Sequence, residues 1–306
     1  MNASVSSRPP SDFSGLWVPL ITPFVGQAVD HETLGRLVKH LVSAGVTGLV
    51  VCGSTGEAAA LSAEEQLAVL RTVARHAPGC PFVMGVSGSN QPNTLSWLRT
   101  VNAGAELDLP RLHGVLVSAP SYIRPSQAGL LQWFTALAEA SSAPLVLYDI
   151  PYRTGATLER DTLLALADHP NIQAIKDCGG DAAKTMALLR DGRLQVLAGE
   201  DMQVFGTLAL GGAGAISASA HVHPQHWVAL VAALRKGDVA SARRLWQPLA
   251  PMVETLFSEP NPAPVKALLA HQCRVANELR PPMTPMSLAG QERLLALAAQ
   301  TADTIG

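Results

Sequence analysis

Lysine is scarce in this chain of 306 residues, which holds only Lys39, Lys176, Lys184, Lys236 and Lys266, and charged residues of all kinds make up 15% of it. Cysteine is scarcer still. Cys52, Cys80, Cys178 and Cys273 stand singly, with no C-x-x-C pair, which argues against a disulfide framework or a zinc ribbon and fits a reducing, cytoplasmic setting. Lys+Arg 22 against Asp+Glu 24 leaves a net charge of -2 without any basic block. Counterion-driven binding to nucleic acid or to an anionic membrane is therefore not expected, and the partner expected is a small molecule. No long apolar run is present either. The longest apolar and small stretch, residues 208–222, contains three Gly and two Ser and is shorter than the ~18 residues that suggest a membrane span. The start, MNASVSSRPPSDFSG, lacks the continuous apolar core of a secretory signal, so residues 1–13 are expected to form a short disordered tail.

What the chain does have is apolar residues, at 48%, enough for one large core with an appendage. Eight short apolar runs begin at Leu16, Gly48, Pro81, Gly114, Pro144, Ile172, Leu194 and Gly214, roughly 20–33 residues apart. Segments with helical spacing follow the first seven, among them 62–76, which starts with the capping box Ser62-Ala63-Glu64-Glu65, and 161–168. Mostly apolar strands alternating with helices predict a parallel sheet buried on both faces, and eight such units predict an α/β (β/α)8 TIM barrel over 14–235. An open doubly wound sheet is the rival. It usually carries a Gly-rich first turn, whereas the first strand here runs into Thr22-Pro23-Phe24. Helices over 224–235, 239–257, 263–279 and 288–299, with a turn at Pro281, Pro282 and Pro285, close the barrel and form a C-terminal helical extension over 236–306.

In such barrels the chemistry sits at the C-terminal ends of the strands. Lys39, Lys184, Lys236 and Lys266 fall in or at the ends of amphipathic helices, where a solvated charge is expected. Lys176 instead ends the strand IQAIK, and alternation puts it on the same face as Ile172 and Ala174. A lysine aimed into a barrel mouth is desolvated, which favours the neutral amine that forms a Schiff base with a carbonyl. The competing reading pairs it with Asp177 or Glu200. Tyr148 ends the neighbouring fifth strand and is placed to shuttle protons beside such an imine. Tyr122 follows the fourth strand, where a rim aromatic with its hydroxyl in water is the plain alternative. Gly53-Ser54-Thr55-Gly56-Glu57, after the second strand, supplies hydroxyls and N–H groups for a carboxylate, or is only a turn. Arg153 offers a bidentate fork above the lysine, or is a surface residue.

Together, CGSTGEAAALSAEE, GVSGSN at Gly85 to Asn90, YDIPYRTG at Tyr148 to Gly155, AIKD around Lys176, and AGED followed by GGAGAIS resemble the pyruvate-dependent class I aldolases and lyases typified by dihydrodipicolinate synthase and N-acetylneuraminate lyase. The resemblance runs from Leu16 to about Val222 and more loosely beyond. It implies that Lys176 carries the pyruvate imine, that Tyr148 gives and takes protons, that Ser54 and Tyr122 complete the relay with Tyr122 reaching in from a neighbouring subunit, and that Thr55 and the Ile216 backbone hold pyruvate. Ser54 stands where the synthases commonly carry Thr, and the hydroxyl is kept. Arg153 is a mark of the synthases, in which an arginine here binds the carboxylate of the aldehyde. The implied reaction condenses pyruvate with L-aspartate 4-semialdehyde to 4-hydroxy-tetrahydrodipicolinate, on the way to diaminopimelate and lysine, with no cofactor or metal and in a homotetramer or homodimer. Lysine-inhibited relatives hold the inhibitor with polar residues at positions where this chain has Ala63, Gln66, Thr94 and Ser121, keeping only Asn90, so little inhibition by lysine is expected.

Two alternatives follow from the same residues. A pyruvate aldolase for a sugar acid or another 2-oxo acid would share the lysine, the tyrosine and the loop, differing only in its aldehyde pocket, and a non-catalytic ligand-binding barrel would need none of them. His221, His223 and His226 have a spacing that could bind a metal, but no Cys or carboxylate cluster joins them. Gly211-Gly212-Ala213-Gly214 precedes the last strand and reads as a tight turn on the stability face. Glu57 and Glu200 read as organisers of loops.

Overall fold

A computed structural model describes residues 10–305. Eight parallel strands, Gly15–Pro19, Gly48–Val51, Phe82–Val86, Gly114–Ser118, Leu145–Asp149, Ile172–Asp177, Gln195–Ala198 and Gly214–Ile216, close into a barrel in which the first pairs with both the second and the eighth. A small hairpin, Phe24–Val25 with Ala28–Val29, follows the first strand. The expected (β/α)8 barrel with C-terminal helices is the fold observed. Apolar side chains divide between two cores. One lies between the strands and the surrounding helices, and the other fills the barrel with Trp17, Val50, Val83, Leu116, Val146, Ala174, Leu197 and Ile216. No helix among the described residues is long and apolar enough to cross a membrane.

Several local expectations differ from the structure. Residues 1–9 of the expected tail lie outside the described residues, but 11–13 are docked on the bottom of the barrel. Ser11 N–H donates to Gln173 Oε1 at 2.8 Å, Phe13 N–H donates to Gln195 Oε1 at 2.8 Å, and Phe13 is buried against Trp17, whose indole N–H reaches the Phe13 carbonyl at 2.7 Å. A polar tail sequence hides this because its partners, Gln173 and Gln195, are more than 160 residues away. The helix expected over 263–279 stops at His271. Cys273 takes a left-handed conformation (φ 55°), and Arg274 N–H closes back on the Leu269 carbonyl at 2.9 Å. That is the usual C-terminal stop, built without the glycine that normally announces it.

Alternation along the sixth strand fails at its start. Leu145 faces Ile172, yet Val146 already faces Ala174, so a bulge absorbs Gln173. Ile172 therefore packs outward among the helices, while Ala174 packs inside the barrel. Two lysines expected in water are buried instead. Lys184 is 4% exposed and paired with Asp149, and Lys266 is 0% exposed, with its ammonium 2.5 Å from Glu57. A buried ammonium persists only with such a partner, and neither partner is near in sequence.

Candidate active site

The strand register brings the central pair together, because Tyr148 and Lys176 are direct neighbours across the fifth and sixth strands. Both are nearly buried, at 8% and 6% exposure. Lys176 Nζ lies 3.4 Å from the phenol oxygen and 4.4 Å from the ring centroid, so the tyrosine face and hydroxyl together receive the lysine head. Asp177, one candidate competitor, points to the opposite face, where its carboxylate accepts from the Thr185 hydroxyl at 2.6 Å and the Gly179 N–H at 2.9 Å. No ion pair involving Lys176 is found among the described residues. Glu200 stands at the pocket wall, and burial raises its carboxyl above the usual range. Burial also pushes the Tyr148 phenol well up, partly offset by a hydrogen bond with Ser54. Tyr148 therefore rests as a protonated phenol in a pocket that Ser54 also lines, which suits a proton relay.

The loop after the second strand is forced into shape by its sequence. Two short 3-10 turns, Ser54–Gly56 and Ala58–Ala60, meet at Glu57, which is left-handed at φ 54°. Gly56 approaches the first strand so closely that a Cβ would lie 2.9 Å from the Leu20 carbonyl oxygen, and the Thr22 hydroxyl donates to the Gly56 carbonyl at 2.7 Å. Glu57 is held from the C-terminal extension, by the Lys266 ammonium and by Arg280 N–H at 3.0 Å. It organises the loop, as its setting in the sequence suggests. Thr55, 3% exposed, accepts a hydrogen bond from Asn261 Nδ2 at 2.9 Å.

Ser54, Thr55, Tyr148, Arg153, Lys176 and Ile216 converge on one pocket at the C-terminal ends of the strands. A second cavity of about 190 Å³ adjoins it, sharing Ser54, Tyr148 and Arg153 and reaching Ser87, Ser118 and Ser121. Arg153 sits on the short helix Pro151–Thr154, exposed, with its guanidinium 5.6 Å from the Tyr152 ring centroid. Tyr122 is the one expected site residue that the single chain does not bring in. It is 93% exposed at φ 74° and lines neither cavity.

Tyr152, Asp201, Phe257 and Asn261 also line the pocket, beyond the residues expected from the sequence. The last two come from the C-terminal extension, where a lone asparagine between prolines in Glu259-Pro260-Asn261-Pro262 was the available signal. The histidines disperse. His221 is buried between the Ile21 N–H, which donates to its Nε2 at 3.3 Å, and the Ala218 carbonyl, which accepts from Nδ1 at 2.9 Å, while His226 Nε2 donates to the Leu245 carbonyl at 2.9 Å. Gly211 turns the chain at φ 103° before the last strand, on the face away from the pocket.

The sequence profile described as the dihydrodipicolinate synthetase family matches residues 12–301. The chain is 37% identical over 284 residues to 4-hydroxy-tetrahydrodipicolinate synthase 2 of Clostridium acetobutylicum, covering 92% of this chain and 97% of that one. Identity to 4-hydroxy-tetrahydrodipicolinate synthase of Leuconostoc citreum is also 37%, over 278 residues, covering 90% of this chain and 94% of that one. Among solved structures, the chloride-inhibited dihydrodipicolinate synthase from Acinetobacter baumannii complexed with pyruvate superposes with a TM-score of 0.89 at 32% identity, covering 94% of this chain and 99% of that one.

Proposed function

The chain belongs to the dihydrodipicolinate synthetase family, and from that premise we propose that it condenses pyruvate with L-aspartate 4-semialdehyde to give 4-hydroxy-tetrahydrodipicolinate. It is a lyase of the class I aldolase type. The observation that carries this reading is the buried Lys176–Tyr148 pair facing Ser54 and Thr55 in one pocket. The amine of Lys176 attacks C2 of pyruvate, and water leaves as the imine forms. Tyr148, protonated at rest, supplies the proton that the departing hydroxyl needs, and Ser54 passes protons onward. Loss of a C3 proton converts the imine to an enamine, whose C3 attacks the aldehyde carbon. The substrate's own amine then displaces Lys176 at C2 and closes the ring. These are acid–base steps carried out on the covalent imine, and they need no separate cofactor.

Thr55 and the Ile216 backbone hold the pyruvate carboxylate, and Arg153 holds the carboxylate of the incoming aldehyde. Tyr122 enters from a second copy of the chain, which makes the working enzyme a homodimer or homotetramer. The unpaired state of all four cysteines supports a place in the cytoplasm. Turnover with a panel of aldehydes tests the substrate. Aspartate semialdehyde should be consumed with far higher kcat/KM than sugar aldehydes, and Arg153→Ala should raise its KM much more than that of pyruvate. Preference for a sugar aldehyde, or equal KM effects on both substrates, would favour the sugar-acid aldolase.

A further inference from the structure

Asn261, 9% exposed, lies beyond the helix Val239–Leu256 and brings the C-terminal extension into the pocket that contains Lys176. Its Nδ2 donates to Thr55 Oγ1 at 2.9 Å, while its Oδ1 is buried without a partner. A threonine hydroxyl has one proton and two lone pairs. With a lone pair occupied by Asn261, the proton of Thr55 remains free to point elsewhere. A carboxylate can only accept, so a pocket for a 2-oxo acid needs this hydroxyl as a donor. Were the amide reversed, Thr55 would spend its proton on Asn261 and present lone pairs to an anion. The unpaired Oδ1 is a cost that an apolar side chain of similar size would not carry, so bulk alone does not account for an amide here.

We propose that Asn261 is a positioning residue for the substrate carboxylate, holding the Thr55 hydroxyl as a hydrogen-bond donor into the Lys176 pocket. Through this contact the C-terminal extension sets the affinity for the 2-oxo acid. The inference rests on the reading of Lys176 as the pyruvate-binding lysine.

The test is the pyruvate concentration that half-saturates borohydride trapping, with steady-state KM and kcat beside it, in wild type, Asn261→Ala, Asn261→Asp, Thr55→Val and the double variant Asn261→Asp/Thr55→Val. Aspartate keeps the shape and can only accept, so it draws the Thr55 proton toward itself. Asn261→Asp should raise the half-saturating pyruvate concentration roughly 10-fold or more, the worth of one charge-assisted hydrogen bond, and Asn261→Ala by a smaller factor because it frees the hydroxyl without capturing its proton, with the KM for the aldehyde and the melting temperature little changed. The double variant should be no worse than Thr55→Val alone, because the amide acts through that hydroxyl. Additive effects, as simple repulsion by the new charge would give, or unaltered saturation in both single variants, would overturn the proposal. Should Asn261→Ala fail to fold, the isosteric Asn261→Asp still decides. Wild type that traps no pyruvate on Lys176 would remove the reading of the site and this inference together, whereas normal trapping in wild type with unmoved Asn261 variants would remove this inference alone.

Discussion

Lys176, Lys184 and Lys266 illustrate what a single residue does and does not reveal. All three are buried, yet only Lys176 lies at the C-terminal end of a strand, one residue before its last, and a strand end in a barrel has a known direction. The other two sit on helices, Ala182–Asp191 and Ala263–His271, where a lysine is ordinarily solvated. Their partners, Asp149 and Glu57, lie 35 and 209 residues away, and no local pattern announces them. Tyr148 was legible for the same reason as Lys176, since both close apolar strands that become neighbours. Replacing Tyr148 with Phe keeps the ring against Lys176 and removes only the hydroxyl. Turnover should fall by ~10²–10⁴, the usual worth of general acid–base help, with an unchanged circular dichroism spectrum. Turnover equal to wild type would take Tyr148 out of the proton relay.

Among the elements, the barrel strands could be read from their apolar runs, but the places where regular pattern breaks could not. The Gln173 bulge inverts the side of Ile172, and the left-handed Cys273 ends a helix that the spacing alone would extend. His221 is a third such feature, joining the end of the first strand to the loop after the eighth. In the sequence it resembled one member of a metal-like spacing. Burial, aided by His40, lowers its pKa to about 4 from the model-peptide value of 6.5. The unfolded chain thus takes up a proton at higher pH than the folded one. His221 is neutral and without penalty above pH 6.5, and stability is lost as pH falls from there toward 4, by at most about 3 kcal/mol. Melting temperature measured across that window should fall less steeply in His221→Gln than in wild type. Parallel curves would show that His221 is not the group responsible.

For the molecule as a whole, the C-terminal helices proved to be more than an appendage. Lys266, Arg280 and Asn261 all grip the loop that carries Ser54 and Thr55, contacts invisible before the chain is folded because each spans more than 200 residues. The position of Tyr122, exposed on one chain, carries the assembly argument. If it serves a partner's pocket, co-expressing Lys176→Ala with Tyr122→Phe should produce hybrids in which one pocket has both an intact lysine and an intact tyrosine, and activity should return. Mixed subunits as inactive as each variant alone would place Tyr122 in its own chain's site or outside the mechanism.

Imine formation between Lys176 and pyruvate is read directly by mass spectrometry of the protein after borohydride reduction in the presence of pyruvate. Reduction makes the linkage permanent. A single pyruvate-derived addition is expected on the peptide containing Lys176, absent without pyruvate and absent in Lys176→Ala. Addition on another peptide, or addition that survives Lys176→Ala, would contradict that assignment.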